Sequence, residues 1–218
     1  MRRTVDVAGS LVGGVVVSPV LALVAALVRL RLGRPVLFRQ RRSGLHGREF
    51  TIVKFRTMRP ESFPGEPDAA RDTSLGRALR GSSLDELPQL WNVVRGDMSL
   101  IGPRPTLPEQ VAHYSELQRG RLAIRPGITG WAQVQGRNSL SWPERIELDL
   151  DYIARRSWRL DLRIVLLTVN RLLRPSGVYG EGGVNAGFPV PAVPDPADTA
   201  VNPASSAANV GSTGKCTT

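Results

Sequence analysis

The chain is poor in the residues that carry soft-metal and thiol chemistry. Its one cysteine, Cys216, lies close to the C-terminus, so no intrachain disulfide framework exists and nothing argues for an oxidising compartment. Two histidines, His46 and His113, leave no Cys/His cluster for zinc. Zinc chemistry, thiol catalysis and Ser-His-Asp hydrolysis are therefore poorly supported. A metal, if one acts, must be held by carboxylates and substrate oxygens, which favours magnesium. Lysine is also scarce, confined to Lys54 and Lys215, so almost all the cations are arginine. What the chain does have is 22 glycines and 17 prolines in 218 residues, too many for a coiled coil or a simple bundle, and a length that fits one domain with an appendage.

The formal charge is +10, from 29 Lys+Arg against 19 Asp+Glu. A balance this basic calls for an anionic partner: nucleic acid, an anionic membrane surface or a phosphorylated substrate. Nucleic acid is disfavoured, because the cations are spread among apolar helices and beside an apolar N-terminal run. No helix-turn-helix or aromatic-basic sheet pattern accompanies them.

From Val7 to Val28 no residue is charged. The run is long enough to cross a hydrocarbon core, which needs about 20 helical residues. A secretory signal peptide fits poorly, since Asp6 intrudes, the apolar run is too long and no small-residue cleavage site follows. Ser18-Pro19 interrupts the run, and the proline removes the hydrogen bond to the Val15 carbonyl. Arg2 and Arg3 precede the run and Arg29, Arg31 and Arg34 follow it, whereas a spanning helix normally keeps its cations on one side. Cations at both ends favour a re-entrant hairpin whose two ends meet the same headgroups, although a Pro-kinked spanning helix satisfies the same pattern.

Beyond the anchor, Val36-Leu37-Phe38 and Glu49 to Phe55 are short β-branched and apolar runs around a Gly-containing turn (Arg41 to Gly47), which predicts a β-hairpin. Arg59 to Asp72 carries three prolines and several acids and reads as an exposed loop. Helices are expected around Leu84–Val94, from Pro108 to about Leu122, from Pro143 to about Ser157, and from Arg159 to Arg174. The last is dense in leucine and valine with arginines around them, so it is either a core helix or one lying in a membrane interface. The expected fold is mainly α with a small β-hairpin. It has an N-terminal re-entrant membrane helix, and interfacial amphipathic helices packed on a compact cytoplasmic domain. Residues 1–34 form the anchor and its flanks, 35–183 the cytoplasmic domain, and 184–218 a Pro/Ala/Ser-rich tail too poor in apolar residues to order.

Two stretches are candidates for chemistry. In Ser82-Ser83-Leu84-Asp85-Glu86-Leu87-Pro88-Gln89, Ser83 and Glu86 have the spacing of a helix capping box. The same placement would hold a carboxylate ionised and attract phosphate at a helix N-terminus. Asp85 and Glu86 are adjacent, so their side chains diverge and take different tasks. In Gly102-Pro103-Arg104-Pro105, two prolines leave Arg104 little backbone freedom, which suits bidentate phosphate binding as well as a plain surface turn. Arg125-Pro126-Gly127-Ile128-Thr129-Gly130-Trp131 offers glycines for close backbone approach. Its tryptophan serves equally as a stacking face or as core. Neither a Walker nor a Rossmann loop is present.

Taken together, SLDELPQLWNVVRGDMSLIGPRP and IRPGITGWAQVQGRN resemble the monotopic phosphoglycosyl transferases, bacterial sugar transferases that act on polyprenyl phosphate. KFRTM at Lys54–Met58, ELD at Glu147–Asp149 and the N-terminal pattern of paired cations, an acid and Ser-Pro are similar too. The resemblance runs from about Arg2 to about Gly183. It implies transfer of a sugar-1-phosphate from a nucleotide sugar, usually UDP-linked, to polyprenyl phosphate, with release of UMP. This would be the first membrane step of bacterial glycan (exopolysaccharide, O-antigen or glycoprotein) assembly. It further implies a re-entrant helix, magnesium with Asp85 among its ligands, a catalytic domain on the cytoplasmic side of the inner membrane, and contacts with membrane lipids and downstream glycosyltransferases.

On the matching positions, the resemblance makes Asp85 the nucleophile that forms a covalent phosphosugar. Glu86 becomes its helper in proton handling or orientation, and Asp149 the residue completing the acidic site. Lys54, Arg80, Arg104, Arg125 and Arg137 become phosphate and nucleotide contacts. Larger members carry an N-terminal multi-span region, so this chain is expected to be a minimal form. An inactive membrane adaptor of a glycan assembly is the alternative from another class.

Overall fold

A computed structural model describes residues 1–136 and 139–173. The expected tail, Cys216 and Arg137 lie outside the described residues. The chain opens with α1 (Arg2–Arg31), a continuous 30-residue helix that passes through Pro19. The Val15 carbonyl, denied its helical donor by the proline, instead accepts a hydrogen bond from Ser18 Oγ at 2.7 Å. That local substitution lets the helix continue through the proline. The helix is long and apolar enough to cross a membrane. Leu11, Val12, Val15, Val16, Val20 and Leu23 are exposed.

Both ends of α1 are docked on the rest of the molecule. At the start, Arg3 donates to the carbonyls of Val94 (3.0 Å) and Met98 (3.3 Å), and the Asp6 carboxylate accepts from Ser99 Oγ (2.8 Å) and Leu100 N–H (3.1 Å). Arg2 pairs with Asp161 and lies over the Trp158 ring. At the other end, Val24 and Val28 are core residues with Phe55 and Leu79. The buried Arg56 side chain donates to the carbonyls of Leu32 and Arg34, which closes the exit turn.

The hairpin forms as expected. β1 (Leu37–Ser43) pairs antiparallel with β2 (Glu49–Phe55), with Arg42 opposite Phe50, Gln40 opposite Ile52 and Phe38 opposite Lys54. Arg41 and Arg42 belong to β1 rather than to the turn, which is formed around Gly44, Leu45, His46 and Gly47. Because strand side chains alternate, this register puts Arg42 and Lys54 on one face.

After a loop closed at its base by the Met58–Asp72 bridge come α2 (Asp68–Arg71) and α3 (Ser74–Ser82), a 3₁₀ segment (Leu84–Gln89) and α4 (Leu90–Arg95). The loop is exposed apart from the buried Glu66, which accepts from Arg59 and from Ser62 N–H. The helix expected at Leu84–Val94 is therefore split. Pro88 cannot donate to the Leu84 carbonyl, and the tighter 3₁₀ turn takes the place of the first α-turn. The buried Asn92 side chain accepts from Val53 N–H (3.1 Å) and donates to the Thr51 carbonyl (2.7 Å), which stitches α4 to the free edge of β2.

The three-residue strands β3 (Ser99–Ile101) and β4 (Gly127–Thr129) pair in parallel, too short to leave a periodic signal in the sequence. Between them the single helix expected from Pro108 is broken into α5 (Pro108–Ala112), α6 (Glu116–Arg119) and a 3₁₀ turn (Gly120–Ala123). Ser115 causes one break. Its hydroxyl and the Gln118 side chain cap each other's N–H groups, which starts a new helix.

The chain ends with α7 (Trp131–Gln135), α8 (Trp142–Arg155) and α9 (Trp158–Leu173). Trp131, Val134, Tyr152 and Ile164 form the core beneath them, so Trp131 is a core side chain and not a stacking face. α9 has one buried face and one exposed apolar face. Ile164 is fully buried, while Trp158, Leu162, Val165, Leu166, Val169 and Leu172 form an exposed apolar stripe at helical spacing. The mainly helical fold with a small hairpin is thus as expected, with the parallel β3–β4 pair added.

Candidate active site

Arg104 is presented by a segment whose carbonyls are all taken. Pro103 accepts from Gly127 N–H (2.9 Å) and Thr106 from Ser43 N–H (2.9 Å). Arg104 accepts from the Arg121 guanidinium and Pro105 from that of Arg42, each at 3.4 Å. Gly102 and Gly127 make this possible: a side-chain carbon on Gly127 would come within 2.1 Å of Gly102 N, and one on Gly102 within 2.4 Å of the Arg125 carbonyl. The glycines of the two dense stretches thus bring one backbone directly onto the other. With φ held at Pro103 and Pro105, the Arg104 side chain starts from a fixed base and donates to Glu86 at 2.6 Å.

Asp85 and Glu86 sit on the 3₁₀ segment after α3. Ser83 ends α3 in the left-handed conformation (φ 58°), and its side chain does not cap the segment that follows. The expected capping box is therefore absent. Glu86 turns to Arg104, while Asp85, 4% exposed, points inward. An open cleft of about 300 Å³ is lined by Arg42, Ile52, Lys54, Glu86, Gln89, Arg104 and Pro105.

The charges in the cleft act on one another. Burial, then the neighbouring Glu86, pushes the Asp85 carboxyl up to about 6, against the pull of Lys54, Arg104 and Arg80. A helix N-terminus was expected to hold this carboxylate ionised. The short 3₁₀ segment supplies too little dipole to outweigh desolvation. Burial and the Arg104 charge lower Lys54, and the same two causes bring Arg42 down to about 10. Cations that destabilise one another in a partly closed cleft form a site prepared for an anion.

The structure brings together Asp85, Glu86, Lys54, Arg104 and, by its charge, Arg80. The Arg80 guanidinium is shared between Thr57 Oγ1 (2.8 Å) and Asp72. It separates two other candidates. Arg125 is exposed and donates to the Gly96 carbonyl at 2.9 Å, so it serves as a cap for the end of α4. Asp149 was expected to complete the acidic site. Its carboxylate is instead sealed against Arg121, which donates to Oδ2 through Nε (2.9 Å) and Nη2 (2.6 Å) and also reaches the Arg104 carbonyl.

Sequence reasoning missed Arg42 and Gln89. Gln89 is 3% exposed and lines the cleft. The available signal for Arg42 was its even-numbered alternation with Gln40 across from Ile52 and Lys54, which becomes legible only once the hairpin register is known. Among the described residues no three potential ligands converge to hold a metal. Magnesium, however, is commonly bound by one or two carboxylates with the remaining positions filled by phosphate oxygens and water. Glu86, which lines the cleft, and its buried neighbour Asp85 are the carboxylates that would hold it.

The structure thus presents a buried carboxylate beside a cation-lined cleft, on a domain that grips a long apolar helix. Comparison gives the family: residues 1–175 match the bacterial sugar transferase family, and the chain belongs to it. A Bacillus subtilis (strain 168) relative described as an uncharacterised sugar transferase, EpsL, is 44% identical over 85% of this chain and 94% of its own length. A UDP-glucose:undecaprenyl-phosphate glucose-1-phosphate transferase of Caulobacter vibrioides is 42% identical over 82% of this chain and 72% of its own. One of the same description from Xanthomonas campestris pv. campestris is 43% identical over 74% of this chain, which spans only 36% of that longer protein.

Proposed function

We propose that this protein is a phosphoglycosyl transferase that moves a sugar-1-phosphate from a UDP-sugar to polyprenyl phosphate in two steps at Asp85. In the first, a carboxylate oxygen of Asp85 attacks the sugar-bearing phosphorus. The bond from that phosphorus to the bridging oxygen breaks, and UMP leaves with the electron pair. In the second, a phosphate oxygen of the lipid acceptor attacks the same phosphorus, and the bond to Asp85 breaks. The carboxylate is regenerated and polyprenyl-diphosphate-sugar is released. Dividing one transfer into two through a covalent intermediate is ordinary nucleophilic catalysis.

The observation that carries this reading is the state of Asp85: buried, flanked by cations, and contacted by no guanidinium among the described residues. No ion pair with an arginine among the described residues therefore has to break before its oxygens meet a phosphorus atom. Lys54, Arg104 and Arg42 line the space where phosphate oxygens would lie and offset charge that would otherwise repel the carboxylate. Glu86 keeps the Arg104 guanidinium turned to the cleft and is placed to handle protons at the bridging oxygen. Magnesium, held by Asp85 and Glu86 together with the diphosphate, would supply further neutralisation of developing charge.

The re-entrant anchor is supported by the docking of both ends of α1 on one domain, since a helix gripped in this way has both its ends on one side of the bilayer. The exposed stripe of α9 would lie in the headgroup region of the same, cytoplasmic, leaflet of the inner membrane. Relatives named for glucose-1-phosphate transfer to undecaprenyl phosphate make UDP-glucose the first donor to try. Purified protein given UDP-glucose and magnesium without acceptor should release UMP in stoichiometric amount and carry hexose phosphate on Asp85. UMP appearing only after acceptor is added would replace the covalent route with direct transfer. No UMP with any UDP-sugar and acceptor would leave the adaptor.

A further inference from the structure

The segment carrying Arg104 is pinned at four consecutive carbonyls, and two of the four donors are side chains. One, Arg42, lines the cleft. The other, Arg121, does not. It is 4% exposed, with Nε and Nη2 on Asp149 Oδ2, Nη1 on the Tyr114 hydroxyl and Nη2 reaching the Arg104 carbonyl at 3.4 Å. The Tyr114 hydroxyl in turn lies 3.1 Å from Thr106 Oγ1, so the same cluster holds the segment at two points. Asp149 comes from α8 and Tyr114 from the turn after α5. Three parts of the chain therefore meet at one guanidinium.

A buried ion pair is a costly way to join elements, since apolar side chains of similar volume commonly stabilise a core as well or better. What apolar side chains cannot supply is a planar, multi-donor fork that is held rigidly and aimed at a backbone carbonyl. We propose that Arg121, oriented by Asp149 and Tyr114, is a positioning residue for Arg104. It fixes the Arg104 backbone so that the guanidinium meets Glu86 and faces the cleft. Asp149 then acts on the reaction only through Arg121. The inference rests on the reading of Arg104 as a contact for substrate phosphate.

The test uses the full chain in detergent, with UMP release from UDP-glucose and polyprenyl phosphate as the rate and thermal unfolding as the control. Arg104→Lys supplies a background with the charge kept and the fork lost. Arg121→Lys should lower kcat/KM by about 10- to 100-fold, the scale of a misplaced catalytic contact. Tyr114→Phe, the gentler variant should Arg121→Lys fold poorly, should lower it by roughly 3- to 10-fold on the same grounds. In the Arg104→Lys background each should cost less than about twofold further, while lowering the unfolding midpoint as much as before. The Arg104 guanidinium Nε–H resonance, assigned by its loss in Arg104→Lys, should shift in both variants.

Equal kinetic losses in the two backgrounds, an unmoved Arg104 resonance, or a lowered midpoint with intact kcat/KM would each make Arg121 a purely structural residue and overturn the proposal. If the wild type releases no UMP from any donor while the resonance still shifts, positioning stands and the functional reading fails. No release and no shift overturn both.

Discussion

The tetrapeptides Ser83-Leu84-Asp85-Glu86 and Ser141-Trp142-Pro143-Glu144 share one local pattern and fold in opposite ways. At Ser141 the pattern closes into a capping box: Ser141 N–H donates to Glu144 Oε2 at 2.7 Å, and the Ser141 hydroxyl accepts from Glu144 N–H at 3.5 Å. At Ser83 it does not. The residue is left-handed, its side chain does not cap the segment that follows, and Glu86 is turned 18 positions along the chain to Arg104. Glu144 has its strongest partners within its own turn, whereas Glu86 faces a long-range cation that competes for it. The lesson is that a cap is a default. It forms where nothing stronger competes, and its absence at an apparently suitable position marks a carboxylate recruited elsewhere.

The two carboxylate environments also oppose each other in pH dependence. Hydrogen bonds from Ser141 hold Glu144 below its usual range, so its contribution to stability is present above the unfolded pKa and lost as pH falls. Asp85 is pushed up, so its contribution is present at low pH and lost as pH rises through about 6.

Substitutions can break this comparison or sharpen it. The largest effect belongs to Asp85→Asn, which should abolish turnover, by at least about 10³-fold in UMP release. The same variant should be more stable than wild type at pH 8, by on the order of 2 kcal/mol, because it removes an unpaired buried charge. Denaturant unfolding checks this, with the advantage shrinking as pH falls from about 6 and vanishing only below about pH 4, under the carboxyl's ordinary pKa. Activity intact in Asp85→Asn would end the assignment of the nucleophile.

Glu86→Gln comes next. It leaves Arg104 without its ionic partner and should cost about 10²-fold in kcat/KM, whereas Glu144→Gln should leave kcat/KM unchanged. A third expectation concerns the wild-type pH–rate profile. Below about 6 the rate of UMP release should fall tenfold per pH unit as Asp85 takes a proton, and a profile flat to pH 5 would contradict the burial argument. The smallest effects are on the serines. Ser141→Ala should cost about 1 kcal/mol by loss of the cap. Ser83→Gly should be neutral or stabilise by less than about 1 kcal/mol, since glycine accepts the left-handed backbone.

Legibility followed range. α1, the hairpin, α8 and α9 were readable because each is long or periodic enough for its own residues to decide its form. The α5–α6 region was not, because Ser115 and Gly120 cut it into pieces shorter than one hydrophobic period. In the site, Asp85, Glu86, Lys54 and Arg104 were legible as motif residues. Arg42 was hidden by strand register, and the pairing of Asp149 with Arg121 was hidden because acidity says nothing of the arginine across from it. The excess of arginine was visible at once. Which arginines serve the backbone, such as Arg56 and Arg125, and which face the cleft was not.

The sequence by itself determined that an arginine-rich chain without a Cys/His cluster would carry a long apolar N-terminal helix, a hairpin and two carboxylates side by side, because composition, periodicity and spacing are local properties. Only the tertiary structure decided that Asp85 would be buried and free while Asp149 would be buried and bound, and that Glu86 would abandon its own helix for Arg104. Those outcomes depend on charges and backbone carbonyls brought from distant positions. Within a partly closed, low-dielectric cleft such partners outweigh anything the neighbouring residues can offer.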